Sequence, residues 1–531
     1  MVFRNVNGKG KMSVLRKNKS SEANWKGIIC AVLATLAARF LGFIRELFVA
    51  DVFGTSALGD AFIVSLSIPD ILVSGFTTAI ATLYIPTYYR VLKEKHENVN
   101  DVKEYNASVL GLIVIVCILI SSITEVFAKF VVTVFAPGFS AEITDVTVQL
   151  LRIVMVSVIP IGVSGLLKAY GQIVNEFSLL TLVGVTINLS VIGALVIFRK
   201  ENLPALAWSV VVGNVVYAIL CLIIVVHRGF KCARHINLKN KYLSALVIGI
   251  APVFVSNIVA EINQIIDKNF ASQLSEGSIS ALNYSSKIIN LITAIIGTAI
   301  SSVLFANLSK IATEGNKEKM AREIERINSI VMTMIWPLFI FVLLFSKSIV
   351  RVLFGRGQFG EESVIITAEC LMFYSIGIIG FNLKAIWVRI YNASLDTKTP
   401  AVNSGIAVLC NIILNVLLIS TMQHKGLALA TGMASIITDL LLIVFYKKRN
   451  SCLKLRNLIK ETLKIMMAGF VYVFVWKIIN IAINGNSNFE YIVQWGVWFI
   501  VGSMLYVLGL MTINSGIGLE IKKYIRCRLK V

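Results

Sequence analysis

Phe354-Gly355-Arg356-Gly357-Gln358-Phe359 closes one long apolar run and opens the next, and Phe135-Ala136-Pro137-Gly138-Phe139 does the same 219 residues earlier. The pairing does not stand alone. Tyr170 is echoed by Tyr391, Asn188 by Asn411, and Leu206-Ala207-Trp208 by Leu427-Ala428-Leu429, at offsets of 221, 223 and 221 residues. A near-constant offset over four landmarks indicates duplication of a whole multi-helix unit. Duplicated membrane bundles generally build a substrate pathway from their two repeats, so the repeat points to transport.

The chain around these landmarks is apolar almost throughout. Hydrophobic residues make up 57% of its 531 residues, and mean hydropathy is +0.81. Runs of about 20 apolar residues, enough to cross a ~30 Å hydrocarbon core, recur along its length. Backbone groups in lipid must satisfy one another, so these runs read as helices. The alternating pattern of a membrane barrel is missing. The fold expected is an all-α polytopic membrane protein with about 14 transmembrane helices, near 25–50, 58–87, 107–133, 145–168, 179–198, 205–226, 242–271, 279–306, 327–353, 363–390, 401–420, 426–446, 462–483 and 491–513. Two six-helix repeat lobes, 25–228 and 242–447, are followed by two C-terminal helices within 462–513. Residues 1–24 and 514–531 form basic ends.

A net charge of +21 raises the question of nucleic acid, and its distribution answers it. Basic residues collect in 1–20, in the gap after span six (Arg228, Lys231, Arg234, Lys239, Lys241), in the gap after span twelve (Lys447, Lys448, Arg449, Lys454, Arg456) and in the tail. With alternating spans, all of these fall on one side. The opposite gaps 272–278 and 484–490 hold no Lys or Arg. This is the positive-inside pattern, with both termini cytoplasmic in a multi-pass plasma membrane protein. Such patches suit anionic lipid headgroups and exclude a nucleic-acid partner.

The eight cysteines are scattered, with no C-x-x-C, and read as small apolar residues. His96, His227, His235 and His424 lack paired ligand spacing, so no metal site is expected. Gly355-x-Gly357-x-x-Gly360 matches a dinucleotide fingerprint only in letters. That motif needs a preceding strand, and a tight loop between helices fits better here. The first span contains Arg39, so it does not read as a cleaved signal peptide. No P-loop suggests direct ATP use, and scattered loop acids do not make an enzyme site.

Ionisable residues inside spans are costly and default to functional hypotheses. Span one carries Arg39 at depth and Arg45-Glu46 nearer its end, with Gly42 between them. Span two opens with Asp60 and carries Pro69-Asp70. Span seven carries Glu261, Asp267 and Lys268, and span eight Lys287. One reading is a cationic cavity for an anionic headgroup, since the planar Arg fork donates paired hydrogen bonds to phosphate. The other is interhelical ion pairing, such as Arg45 with Asp60. Lys384 and Arg389 lie close enough to a span end to snorkel. Asn411 and Asn415 share one helical face, with Thr431 in the next span. With Asp267 or Glu261 they offer oxygen ligands for a small cation such as Na+, or simply interhelical hydrogen bonds.

Several stretches resemble one family. Ala38-Arg39-Phe40-Leu41-Gly42-Phe43-Ile44-Arg45-Glu46, leading to Phe53-Gly54 and Asp60-Ala61-Phe62, is similar to the opening of the MurJ/MviN lipid II flippases of the MOP exporter superfamily. Val352-Leu353-Phe354-Gly355-Arg356-Gly357-Gln358-Phe359 resembles that family's loop between spans nine and ten. Arg389-Ile390-Tyr391-Asn392-Ala393, Asp396-Thr397-Lys398-Thr399-Pro400 and Gly426-Leu427-Ala428-Leu429-Ala430-Thr431 resemble its further signatures. The resemblance covers nearly the whole chain. It implies translocation of undecaprenyl-pyrophosphate-linked peptidoglycan precursor from the inner to the outer leaflet by alternating access. It implies a groove for the lipid tail in the last two helices, and no cofactor beyond a coupling cation (Na+ or H+) or the membrane potential. The partners implied are the lipid-linked precursor, membrane lipids and the cell-wall synthesis machinery. Arg39, Arg45, Asp60 and Lys287 fall on family positions tied to the headgroup, Lys287 where the family carries Arg. After Ile68-Pro69 the family shows paired arginines and an acid, whereas this chain reads Asp70-Ile71-Leu72-Val73-Ser74, and Ser286 stands where an Asp is expected. A related exporter of another polyprenyl-linked oligosaccharide, of capsule or teichuronic type, is the alternative.

Overall fold

The computed structural model describes residues 25–94, 99–237, 240–314, 316–482 and 487–529. The basic stretch 1–24, Lys239 and His96 lie outside the described residues. Among the described residues all regular structure is helical. Many exposed side chains are large and apolar, such as Ile197, Ile223 and Leu417. Lipid rather than water is the solvent that tolerates such a surface.

Contacts divide the chain into two units, Met1–Val52 with Ala57–Gln273, and Phe53–Ser56 with Leu274–Val531. Unit 1 contains α1 (Trp25–Phe53), α2 (Ala57–Glu94), α3 (Val99–Val126), α4 (Ala128–Phe135), α5 (Ala141–Met155), α6 (Val158–Ile173), α7 (Phe177–Val183), α8 (Val185–Phe198), α9 (Leu203–His227) and α10 (Lys241–Ser272). At its centre α2 packs on α5, α6 and α10, and α9 packs on α5, α6 and α8. Pro69 and Pro86 sit inside α2, where each removes a ladder hydrogen bond.

The expected fourth span is a bent pair. α5 and α6 meet at 42°. Ser157 at the break turns its hydroxyl back onto the Val154 carbonyl at 2.6 Å, and Pro160 in the first turn of α6 needs no donor there. α10, counted from sequence as the start of the second lobe at 242, packs on α2, α3 and α4 within unit 1. Two polar ties hold it to α2. Ser74 donates to Glu261 at 2.8 Å, and Tyr242 and Lys241 both reach Glu94.

Unit 2 contains α11 (Ser278–Thr313), α12 (Lys317–Phe354), α13 (Glu361–Ala393), α14 (Lys398–Arg449), α15 (Leu455–Gly469), α16 (Val471–Ala482), α17 (Asn488–Thr512) and α18 (Gly516–Leu529). α13 is its central helix, packed on α11, α12 and α14, while α12 also carries α15 to α18. α14 is a continuous 52 residues only in hydrogen bonding. Gln423 takes φ 50°, ψ −131°, and folds it into two arms, matching the two spans expected there.

Between α12 and α13 the quoted loop is tight. Phe354 and Phe359 are buried and stack at 5.5 Å, with Tyr284 against both. Gly357 lies at φ 57°, a region that a glycine occupies without steric cost. The motif is therefore a helix-to-helix turn closed by aromatic packing.

Among the described residues, ten helices are long and apolar enough to cross a membrane, or up to 11 if the bent pair counts as one span. That tally takes α14 as one helix, so its two arms account for part of the difference from about fourteen. α1 and α10 run partly through residues whose side chains lie outside the described set.

Candidate functional site

The charged residues expected in the spans are described unit by unit. In unit 1, α1 presents Arg39 as an exposed side chain. One turn on, Gly42 faces α8, where a Cβ added to it would lie 3.8 Å from the Asn188 Oδ1. Two repeat landmarks thus meet structure here: Asn188 adjoins the arginine-bearing stretch of α1, and its counterpart Asn411 lies in unit 2.

Arg45 is paired with its neighbour Glu46, Nη2 to Oε1 at 2.7 Å, with side-chain exposures of 23% and 6%. The ion pair weighed from sequence was Arg45 with Asp60; the partner found is Glu46. Adjacent helical residues point in different directions, so the long guanidinium must fold along the helix to reach the carboxylate. Its Nε is buried without a partner, and Asp70 of α2 acts on it electrostatically. Asp60 lies in the first turn of α2 and is 3% exposed, where the helix N-terminus favours a negative charge. Together α1 and the first half of α2 supply an exposed cation, Arg39, a half-buried cation, Arg45, and the acids Glu46, Asp60 and Asp70.

Glu261 and Asp267 also belong to unit 1. Glu261 accepts from Ser74 at 2.8 Å and Gln264 at 2.6 Å. Asp267 accepts from Asn263 at 3.3 Å. The remaining sequence candidates belong to unit 2. Lys287 is half-buried on α11. Asn411, Asn415 and Thr431 form a hydrogen-bond chain across the two arms of α14: Asn415 donates to Asn411 at 2.9 Å, and Asn411 donates to Thr431 at 3.2 Å. Both amides are buried. The interhelical role weighed for these groups is thus realised inside α14, and the acids proposed to join them lie on α10 in unit 1.

Several polar residues escaped the sequence reading. Asp439, on the second arm of α14, is 2% exposed, and neither carboxylate oxygen has a hydrogen-bond partner. Asn403, on the first arm, is 0% exposed, and its amide oxygen and nitrogen are both unpartnered. Lys384 of α13, expected to snorkel, is half-buried and interacts electrostatically with Asp439. Lys168 of α6 lies over the Tyr217 ring at 4.9 Å. Glu369 accepts from Lys425 at 2.8 Å and contacts His424 at 3.2 Å. The signal that flagged Arg39, an ionisable residue inside an apolar run, applied equally to Asp439.

Outside the spans, two clusters fasten helix ends. Glu94 closes α2 against α10, bound by Arg90 at 2.7 Å, Tyr242 at 3.0 Å and Lys241 at 3.2 Å. Hydrogen bonds from Arg90, then Lys241 and Tyr242, pull its carboxyl down to about 2. Asp396 caps the start of α14, accepting from the Thr399 amide at 3.0 Å and its hydroxyl at 2.7 Å, and also binds Arg449. Those contacts, the Thr399 amide first, hold its carboxyl below the usual range.

Comparison with known proteins agrees along the chain's length. The family described as "Lipid II flippase MurJ" matches residues 49–494. A "Probable lipid II flippase MurJ" of Buchnera aphidicola subsp. Acyrthosiphon pisum is 29% identical over 78% of this chain and 82% of its own length. Its namesake in Thermotoga maritima is 27% identical over 88% of this chain and 93% of its own. Among solved structures, "Lipid II flippase MurJ, inward closed conformation" aligns with a TM-score of 0.79 at 22% identity, covering 92% of this chain and all 100% of that one. A multidrug resistance MATE family transporter of the MOP superfamily, inward-facing, aligns with a TM-score of 0.63 at 12% identity over 80% of this chain and 98% of its own. Both structural likenesses concern the fold.

Proposed function

The chain belongs to the lipid II flippase MurJ family, and from that premise we propose how its residues move lipid II between leaflets. The cargo is an undecaprenyl-pyrophosphate-linked sugar-peptide. Its tail is at home in lipid. Its headgroup is not, because charged and hydrogen-bonding groups are expensive in hydrocarbon. The protein supplies a polar path for the headgroup while the tail stays in the bilayer.

The observation that carries this reading is α1. Within one helix it sets an exposed Arg39, a half-buried Arg45 and a glycine between them. Arg39 and Arg45 are the guanidinium forks for the pyrophosphate. Glu46 holds Arg45 in place, so its orientation is set before cargo arrives. Asp60, buried in the first turn of α2, is the acid of the headgroup set. Alternating access carries the bound headgroup outward, with both termini in the cytoplasm by the positive-inside distribution. A transmembrane potential of 100 mV is worth about 2.3 kcal/mol per elementary charge, enough to bias such a cycle. A cation held near Asn411, Asn415 and Thr431 is the other available drive.

Proteoliposomes carrying fluorescent lipid II test the residue assignment. Arg39→Ala and Arg45→Ala are expected to slow translocation roughly 10–100-fold, the equivalent of one charge-assisted hydrogen bond of ~1.5–3 kcal/mol. Arg39→Lys falls between, since it keeps charge and loses the fork. Translocation by Arg39→Ala at the wild-type rate would overturn the assignment.

A further inference from the structure

Helix register brings three polar residues of unit 2, Lys384, Asn403 and Asp439, to one level. α13 and the second arm of α14 run in a fixed register. A Cβ on Gly377 would meet the Gly432 Cα at 3.3 Å, one on Gly380 would meet the Ser435 Oγ at 2.1 Å, and the Tyr391 ring lies 5.6 Å from that of Tyr446. Each pair is separated by the same 55 residues, and so are Lys384 and Asp439. The two arms of α14 have a register of their own, fixed by the hydrogen bond from Asn411 to Thr431. Stepping two turns outward on each arm from that bond pairs Asn403 with Asp439. Two independent registers therefore converge on Asp439.

The surroundings leave its carboxylate unserved. Thr438 and Ser435 turn their hydroxyls onto carbonyls of their own helix. The amide of Asn382 bonds the Ile378 carbonyl. The Lys384 backbone amide comes close enough to favour the ionised Asp439 carboxylate without reaching hydrogen-bond geometry, no side chain donates to either carboxylate oxygen, and the Asn403 amide is equally unpartnered. The Lys384 ammonium interacts with Asp439 electrostatically, without an ion pair among the described residues. An ionised carboxylate buried in this way must be neutralised by something it binds.

Asp439 offers two unpartnered oxygens and Asn403 one, a donor set that suits a hard cation and no soft metal. Other charged groups are distant along the chain. α11 has no ionisable residue between Lys287 and Lys310, and the first arm of α14 has only Cys410 between Lys398 and His424. On α13 the next charge after Lys384 is Arg389, with Tyr391 beyond it, and on the second arm Asp439 is followed by Tyr446.

We propose that Asp439 and Asn403 form an exchangeable site for one monovalent cation, H+ or Na+, for which the ammonium of Lys384 is a tethered competitor. When the cation leaves, the Lys384 ammonium swings onto Asp439. The site is separate from the headgroup residues of α1, and cation binding to it is measured without transport.

The experiment uses the full-length protein in lipid nanodiscs, with two readouts: binding of radioactive Na+, and the infrared C=O band of a protonated carboxyl followed against pH. If the occupant is a proton, a pH-dependent carboxyl band appears in sodium-free buffer, is indifferent to added Na+, and is missing from Asp439→Asn. If it is Na+, Asp439→Asn binds one fewer Na+, and the carboxyl band emerges only as Na+ is withdrawn. In either case Lys384→Met tightens binding about tenfold or more, by removal of an opposing charge, and Asn403→Leu weakens it. Should Asp439→Asn fail to fold, the opposite shifts of Lys384→Met and Asn403→Leu carry the test. Wild-type band and stoichiometry in Asp439→Asn, or no shift in the other two variants, would overturn the proposal and make Lys384 and Asp439 a fixed structural pair.

Discussion

Arg45 and Arg39 lie on one helix and answer the same problem differently. Arg45 is half-buried and leans on Glu46, which is almost wholly buried. Removing one partner of such a pair takes away the other's nearest counter-ion. Full burial would make that cost ~3–5 kcal/mol, and the 23% exposure of Arg45 reduces it to about 1–3 kcal/mol. Glu46→Ala should therefore lower the detergent unfolding temperature, and Glu46→Ala with Arg45→Ala should recover part of the loss. Arg39 is exposed. Arg39→Ala should stay within about 0.5 kcal/mol of wild-type stability, as surface changes do, while translocation falls. Unfolding midpoints and translocation rates measured on the same preparations separate the two roles. Had both variants unfolded alike, Arg39 would be a packing residue.

Helices are held together here by close approach within the membrane and by ionic clasps outside it. Gly380 of α13 admits no side chain, because a Cβ there would meet Ser435 at 2.1 Å and the backbone of Ile436 at 2.9 Å. Gly380→Ala must push the second arm of α14 away, with an expected cost of about 1–3 kcal/mol, read as a lower unfolding midpoint; an unchanged midpoint would contradict that packing. At the helix ends, Glu94 clasps α2 to α10. Its carboxyl is held at about 2, below its ordinary 4.5. A depressed acid stabilises the fold fully above its unfolded value and loses that contribution as pH falls through the folded one. Hydrogen-exchange protection at the start of α10 should thus decline as pH drops from about 4.5 toward 2, and Glu94→Gln should show no such decline in that window. The elements were largely legible beforehand, because apolar length is a strong signal. The break at Ser157 was not, since a bend in a span leaves hydropathy unchanged. The pairing of α10 with α2 was not either, since it depends on Ser74, Glu94 and Glu261 meeting across long stretches of chain. Asp439 was readable from its apolar run and went unread. The orphaned state of Asn403 was beyond sequence, because only packing shows which amides find partners.

For the whole molecule, the repeat, the apolar runs and the quoted motifs together indicated an all-helical transporter, and the family match over residues 49–494 supports that identity. What sequence left open is how the residues share the work. We ascribe headgroup recognition to α1 and cation exchange to α13 and α14. This division makes its own prediction: Asp439→Asn should alter the dependence of translocation on pH or Na+ and leave lipid II binding intact, whereas Arg39→Ala should weaken binding under every ionic condition. The measurement that bears most directly on the account is complementation in bacteria depleted of their own lipid II flippase, scoring growth and lipid II exposure on the outer face. Wild type and Arg39→Ala are compared at matched membrane levels. The account predicts growth and outward lipid II with the wild type and neither with Arg39→Ala. Rescue by both would contradict the role given to α1, and a well-expressed wild type that exposes no lipid II would contradict the function itself.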